Sequence, residues 1–223
     1  MHMIITEDFK IKRIVVTLCL WALVLTSYMS IGHLIPPSGL KEWIMLPIDN
    51  MMPYVPGTVF IYSLFFYVPL GLAIWVIKSS EVFYRYSFSI LIGALINFSV
   101  FIFMPIAFVR HVLNSAGAVL EQVPYEVINL PGDIISPAVM ANLYTVDPST
   151  CTFPSTHITY AVCLAYGLFK DKSKWGSWMA FDVLLLILVI MTTKQHYFLD
   201  GVVGLMTGLI AGWLAFRIKL RPS

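Results

Sequence analysis

The chain is predicted to be an all-α, polytopic membrane protein: a bundle of six transmembrane helices with short extracytoplasmic helices. Three observations carry this prediction, namely an apolar composition, six long apolar runs, and a one-sided distribution of lysine and arginine. With 59% hydrophobic and 12% charged residues and a mean hydropathy of +0.83, the chain lies far from the composition of soluble domains. A helix that crosses hydrocarbon needs about 20 mainly apolar residues.

The runs are Ile14 to Ile35, Gly57 to Ile77, Tyr86 to Phe108, Phe153 to Phe169, Gly176 to Thr193 and Tyr197 to Phe216. The first is too long for a removable signal peptide and lacks its small-residue cleavage pattern, so it is taken as an uncleaved span. The fourth and fifth are short, which suits helices whose outer ends sit in a protein-lined polar cavity. The linkers are Pro36 to Pro56, Lys78 to Arg85, Val109 to Thr152 and Lys170 to Trp175. Neither a repeat nor a low-complexity tract interrupts them, so residues 1–223 are read as one integral membrane domain. Leu40 to Met52 mixes apolar residues with Lys41, Glu42 and Asp49 and is expected to lie in the outer interface, with Trp43 at headgroup level. Val109 to Thr152 is too long to be structureless, and short helices capping a site are expected there.

Orientation follows from the cations. With the N-terminus inside, Lys10, Lys12, Arg13, Lys78, Arg85, Lys170, Lys172, Lys174, Arg217, Lys219 and Arg221 all face the cytoplasm, and only Lys41, Arg110 and Lys194 lie outside. Both termini are therefore expected to be cytoplasmic, in a membrane read as a bacterial inner (plasma) membrane. The net charge of +2 reflects this topology, and no basic stripe indicates a nucleic-acid partner. Cys19, Cys151 and Cys163 offer no paired framework, so no structural disulfide is expected.

The same topology gathers polar residues on the outer face. In Phe153-Pro154-Ser155-Thr156-His157, Ser155 is a natural N-cap, and the amides that follow it have no partner within the helix. Together with the positive end of the helix dipole they form an anion site, with His157 beside it. In Lys194-Gln195-His196-Tyr197-Phe198-Leu199-Asp200, His196 and Asp200 are four residues apart and share one helix face. A carboxylate on one ring nitrogen fixes the tautomer and raises the basicity of the other, as a nucleophilic or general-base histidine requires. The bland alternative is a helix cap in one motif and an interfacial polar plug in the other. Gly204, Gly208 and Gly212 recur at four-residue spacing, which predicts close helix packing. Asp182, within the fifth span, is expected to be a hydrogen-bonded structural acid on the cytoplasmic side, the alternative being a proton or ion path; His33 and His111 are given no chemistry.

These residues carry a resemblance. Phe153-Pro154-Ser155-Thr156-His157 is similar to the Pro-Ser-Gly-His motif of the type-2 phosphatidic acid phosphatase superfamily, and His196 with Asp200 resembles its final His-x-x-x-Asp. The resemblance implies His196 as the nucleophile of a phosphohistidine intermediate, Asp200 as its orienting acid and His157 as the proton donor to the leaving oxygen. It also implies Ser155 and the amides after it at the phosphate, with Thr156 in place of the motif's glycine, and a reaction with no metal and no cofactor. Lys194 and Arg110 are expected to supply positive charge there that the chain's departures from the pattern remove. The chain departs from the pattern where Phe103 stands for the first-motif lysine and His111 for its proline. It departs again where Val189 and Ile190 replace the Ser-Arg that precedes the last histidine. Leu46-Pro47-Ile48-Asp49, Pro53, Pro56, Tyr62 and Phe103-Met104-Pro105 resemble the inositol phosphorylceramide synthase-like branch.

The expected function is removal of phosphate from a lipid phosphate or diphosphate at the outer leaflet. The alternatives are transfer of a phosphorylated headgroup between lipids, and a non-catalytic lipid-binding or transport role on the same scaffold. The expected partners are the lipid phosphate and membrane lipids; oligomeric state is not legible.

Overall fold

A backbone in hydrocarbon must satisfy its own N–H and C=O groups, so the long apolar runs of this chain become helices. In the computed structural model, residues 7–36, 44–106 and 126–218 are described, with the side chains of 7–10 excepted. They contain eight helices: α1 (Glu7–Leu34), α2 (Pro47–Met51), α3 (Thr58–Val76), α4 (Ser80–Phe103), α5 (Ile135–Val146), α6 (Thr156–Lys170), α7 (Trp175–Thr192) and α8 (Phe198–Arg217). The β-structure among the described residues is one parallel bridge between Tyr54 and Val127, which ties the segment before α5 to the approach to α3. Lys41, Trp43, Arg110, His111, Lys219 and Arg221 lie outside the described residues.

Among the described residues, five stretches are long and apolar enough to cross a membrane: Ile11–Leu34 of α1, and α3, α4, α7 and α8. The fourth expected span behaves differently. Ser155 caps the helix, so α6 begins at Thr156 and has 15 residues, about 22 Å at 1.5 Å per residue, against a hydrocarbon thickness of about 30 Å. It is the most enclosed helix, packed by α4, α7 and α8 with α3 along a further side. The fifth expected span, α7, has 18 residues and is long and apolar enough to cross. α1 lies at the rim against α4 and α3, and Ile14, Val15, Leu18, Leu23 and Leu25 on it remain exposed.

The expected packing role of the α8 glycines is borne out against α6. A Cβ on Gly204 would lie 2.6 Å from the carbonyl oxygen of Ser155, and one on Gly212 would lie 2.7 Å from the ring of Tyr166. Small residues let the backbones close up, as in other membrane helix pairs. The seam also holds its polar atoms: Thr159 Oγ1 donates to the carbonyls of Ser155 (2.9 Å) and Gly204 (3.1 Å), and Asn97 Nδ2 of α4 donates to that same hydroxyl at 3.1 Å.

Cations gather at one end of the bundle. Arg13 is buried and donates to the carbonyls of Ile74 (2.9 Å), Ile77 (2.5 Å) and Lys78 (3.1 Å). Asp171 accepts the backbone N–H groups of Lys78 and Ser79 at 2.8 and 2.9 Å, joining the α3–α4 and α6–α7 turns. Arg85 reaches the carbonyl of Ile218 beyond α8 at 2.8 Å. His157, at the opposite end of α6 from Asp171, is a full helix length away.

Asp182 corrects an expectation. It is buried in α7, yet neither carboxylate oxygen has a hydrogen-bond partner among the described residues. It borders an apolar cavity of about 460 Å³ walled by α3, α6 and α7, so the acid is not anchored as a structural hydrogen-bonding group would be.

Gly208→Ala would place its Cβ 2.6 Å from Val162 Cβ and 2.7 Å from the Thr159 carbonyl oxygen. It is expected to destabilise the protein by about 1–3 kcal/mol, read as a lower thermal midpoint in detergent. Gly71→Ala, which meets nothing within 4 Å, is expected to be neutral or up to about 1 kcal/mol stabilising.

Candidate functional site

Two helix starts define the site. The backbone at Ser155 is extended (φ −66°, ψ 114°) and its Oγ accepts the Ile158 N–H at 3.5 Å, the N-cap expected from sequence. Thr156 and His157 follow in the first turn, both buried. The first-turn amides of any helix lack intrahelical acceptors and carry the positive end of its dipole.

The second start is reached by a tight turn. The N–H groups of Gln195 and His196 return to the carbonyl of Ile190 at 3.1 and 3.2 Å, and Lys194 between α7 and His196 adopts the left-handed region at φ 50°. Asp200 Oδ2 then accepts the Tyr197 N–H at 3.0 Å, closing the first turn of α8. The Ser155 N–H donates to the Asp200 carbonyl at 3.0 Å, so the starts of α6 and α8 touch.

Asp49 of α2 extends the arrangement outward. Its Oδ1 accepts the Phe198 N–H and its Oδ2 the Leu46 N–H, both at 2.7 Å. The described part of the expected interfacial segment is therefore docked on the α7–α8 turn. Tyr144 of α5 adds to the cover by donating to the carbonyls of Thr193 (2.6 Å) and Lys194 (3.1 Å).

Between the helix starts the imidazoles of His157 and His196 face one another, with Nδ1 of His157 3.1 Å from Nε2 of His196. The acceptors around them assign the protons. Nδ1 of His196 sees two oxygens, the Thr152 carbonyl at 2.9 Å and Asp200 Oδ2 at 3.3 Å, so it carries hydrogen. In a neutral ring Nε2 then keeps its lone pair, and the hydrogen between the rings belongs to Nδ1 of His157. Nε2 of His157 in turn accepts from the Tyr62 hydroxyl. One directed chain results: Tyr62 to His157 to His196 to Thr152 and Asp200. It is buried, His196 being 4% exposed and Asp200 fully enclosed, and its hydrogen bonds are strengthened by the low local polarity.

The structure thus brings Ser155, Thr156, His157, His196 and Asp200 together, while Arg110 lies outside the described residues. Lys194 is a correction. Its ammonium is expected at a phosphate, yet it donates to the carbonyls of Asp49 (2.8 Å) and Met52 (2.7 Å), fastening α2 to the turn. Burial lowers its pKa to about 8, against an opposing pull from Asp49. The Thr152 carbonyl is missed by sequence reasoning because any residue type supplies a backbone oxygen. In the sequence Tyr62 stands out by its place one turn into an apolar span, which does not tell that its hydroxyl meets His157. A cavity of about 370 Å³ flanks His157 and Thr156, walled by α1, α3, α5 and α6, and its lining includes Trp21, Val24, Phe66 and Tyr67.

Asp49→Ala removes the acceptor of both the Phe198 and Leu46 N–H groups. It is expected to destabilise the protein by about 1–2 kcal/mol, the usual range for loss of a helix cap, measurable by denaturant titration.

Comparison with known proteins adds one finding. Neither curated proteins nor solved structures yield a match, whereas the family model described as the PAP2 superfamily matches residues 54–214. That stretch runs from the approach to α3 through nearly all of α8 and includes both histidines, Tyr62 and Asp200; the chain belongs to the PAP2 superfamily, whose membership supports a phosphatase or phosphotransferase type of lipid function.

Proposed function

We propose that this protein removes phosphate from a lipid phosphate or diphosphate at the outer leaflet through a phosphohistidine intermediate, without a metal. The observation that carries the reading is the His196 ring, whose Nδ1 is held by two oxygen acceptors while Nε2 faces a second histidine. An imidazole so held presents a lone pair at Nε2 in fixed orientation, as nucleophilic catalysis requires.

In this reading His196 Nε2 attacks phosphorus, and Asp200 with the Thr152 carbonyl stabilises the positive ring that forms. His157 gives a proton to the leaving oxygen and later takes one from water. Ser155, Thr156 and the first-turn amides of α6 hold phosphate oxygens, and Arg110 adds positive charge. α6 serves as a sixth crossing, completed at its ends by protein instead of lipid. The cation-rich end of the bundle is cytoplasmic, as are both termini, and the site is extracytoplasmic in a plasma membrane.

The cavity beside His157 favours a second reading on the same chemistry. Its largely apolar lining suits a lipid alcohol better than water as the phosphoryl acceptor, which would make the reaction a headgroup transfer.

His196→Ala is expected to lower phosphate release from a lipid phosphate by on the order of 10⁴-fold or more, with the thermal midpoint retained. Full activity in that variant would overturn the proposal. Wild-type protein mixed with ³²P-labelled substrate is expected to carry acid-labile, base-stable label, and a chelator is expected to leave turnover unchanged. Inorganic phosphate as product identifies hydrolysis, and a new phospholipid identifies transfer. Sidedness is checked with an impermeant thiol reagent added outside intact cells: Asn142→Cys is expected to react and Lys172→Cys to stay unlabelled.

A further inference from the structure

α3 supplies the far end of the hydrogen-bond chain. Tyr62, 2% exposed, lies one turn into that helix and its hydroxyl meets Nε2 of His157. Phe66, a turn further on, sets its ring against the same imidazole at 4.6 Å between centroids and 74° between planes. Tyr62 and Phe66 are themselves nearly parallel, at 11° and 6.1 Å. The imidazole is therefore held at Nε2 by a hydroxyl, beside a near-perpendicular aromatic ring, and at its remaining nitrogen by His196. Turning the ring over would strip a buried nitrogen of its partner, which proteins avoid.

We infer that Tyr62 is the positioning residue for His157, and that His157 works on the leaving oxygen through Nδ1. The inference rests on the reading above, in which His157 is the proton donor. A hydroxyl suits this task because it donates to a bare Nε2, as in the resting ring, and accepts once Nε2 carries a hydrogen. Both protonation states keep a partner, so the ring changes charge without changing place.

The step balances as follows. For the transfer the neutral resting ring of His157 takes a second proton from solvent at Nε2, and Tyr62 turns from donor to acceptor. His196 Nε2 bonds to phosphorus as the bond to the leaving oxygen breaks, and that oxygen takes the Nδ1 proton of His157, leaving the ring neutral. The ring keeps its Nε2–H, so the Tyr62 hydroxyl goes on accepting from it. In the second half a water oxygen bonds to phosphorus, the N–P bond breaks with its pair returning to His196, and the water proton passes to Nδ1 of His157. Loss of the Nε2 proton to solvent then restores the resting ring, to which Tyr62 donates.

Tyr62→Phe keeps the ring packing and removes only the hydroxyl. With a long-chain alkyl phosphate, whose leaving oxygen needs a proton, kcat is expected to fall roughly 10- to 100-fold with KM within about 3-fold. With a nitrophenyl phosphate carrying the same chain, whose leaving group departs without a proton, kcat is expected to stay within about 2-fold of wild type. Equal losses on both substrates, or no loss on either, would overturn the inference. An independent measurement needs no variant: ¹⁵N resonances of the histidines in the wild-type protein near neutral pH are expected to show His157 protonated at Nδ1 and not at Nε2. The opposite tautomer would overturn the inference even if Tyr62→Phe failed to fold. Retained activity in His196→Ala would instead remove the underlying reading, whatever Tyr62→Phe showed.

Discussion

One contact between helix starts underlies the whole site: the Ser155 N–H meets the Asp200 carbonyl at 3.0 Å. His157 stands two residues into α6 from Ser155, and His196 stands two residues before α8 begins. Their rings meet only because the two starts are in register. What keeps them there is the absence of a side chain at Gly204, where a Cβ would come within 2.6 Å of the Ser155 carbonyl oxygen. The glycine seam and the imidazole pair are thus one construction. Close backbone approach, favoured in membranes because lipid offers no hydrophobic drive for helix association, sets the spacing of the polar groups at its end.

Around that contact the support is largely main-chain oxygen. The Thr152 carbonyl holds His196, the carbonyls of Asp49 and Met52 hold Lys194, and those of Thr193 and Lys194 hold Tyr144. Segments that precede α3 and follow α4 are thereby drawn over the α7–α8 turn, with Asp49 joining the starts of α2 and α8. Such a shell excludes water, and exclusion of water strengthens every hydrogen bond in the chain from Tyr62 to Asp200.

Sequence reasoning reached the features that depend on residue type and spacing. Apolar run length located the long helices, the Ser155 cap placed the start of α6, and the four-residue separation of His196 and Asp200 placed both on one face of the turn into α8. What it could not reach depends on tertiary direction. The cap at Ser155 shortened α6 below a full crossing, and only the packing of α4, α7 and α8 around it accommodates so short a helix. Lys194 reads as a phosphate ligand because charge near a histidine suggests one, but its long stem bends to the nearest unsatisfied carbonyls, which belong to a segment 142 to 145 residues away. Asp182 reads as a hydrogen-bonded acid because buried acids usually are, and its side chain instead meets an apolar cavity.

Position 194 is where two demands oppose each other. The abrupt reversal between α7 and α8 asks for a residue at ease with positive φ, which glycine and asparagine are and lysine is not. The tether across to α2 asks for a long cationic stem, which neither glycine nor asparagine has. The chain keeps lysine at φ 50° and so accepts local discomfort in the main chain for a strap on the outermost layer. Residues immediately beside reactive groups commonly carry such compromises, tolerated when their surroundings over-determine the geometry. A chain that relaxed this bend with a smaller residue would gain an easier reversal and lose the buckle that keeps its roof closed.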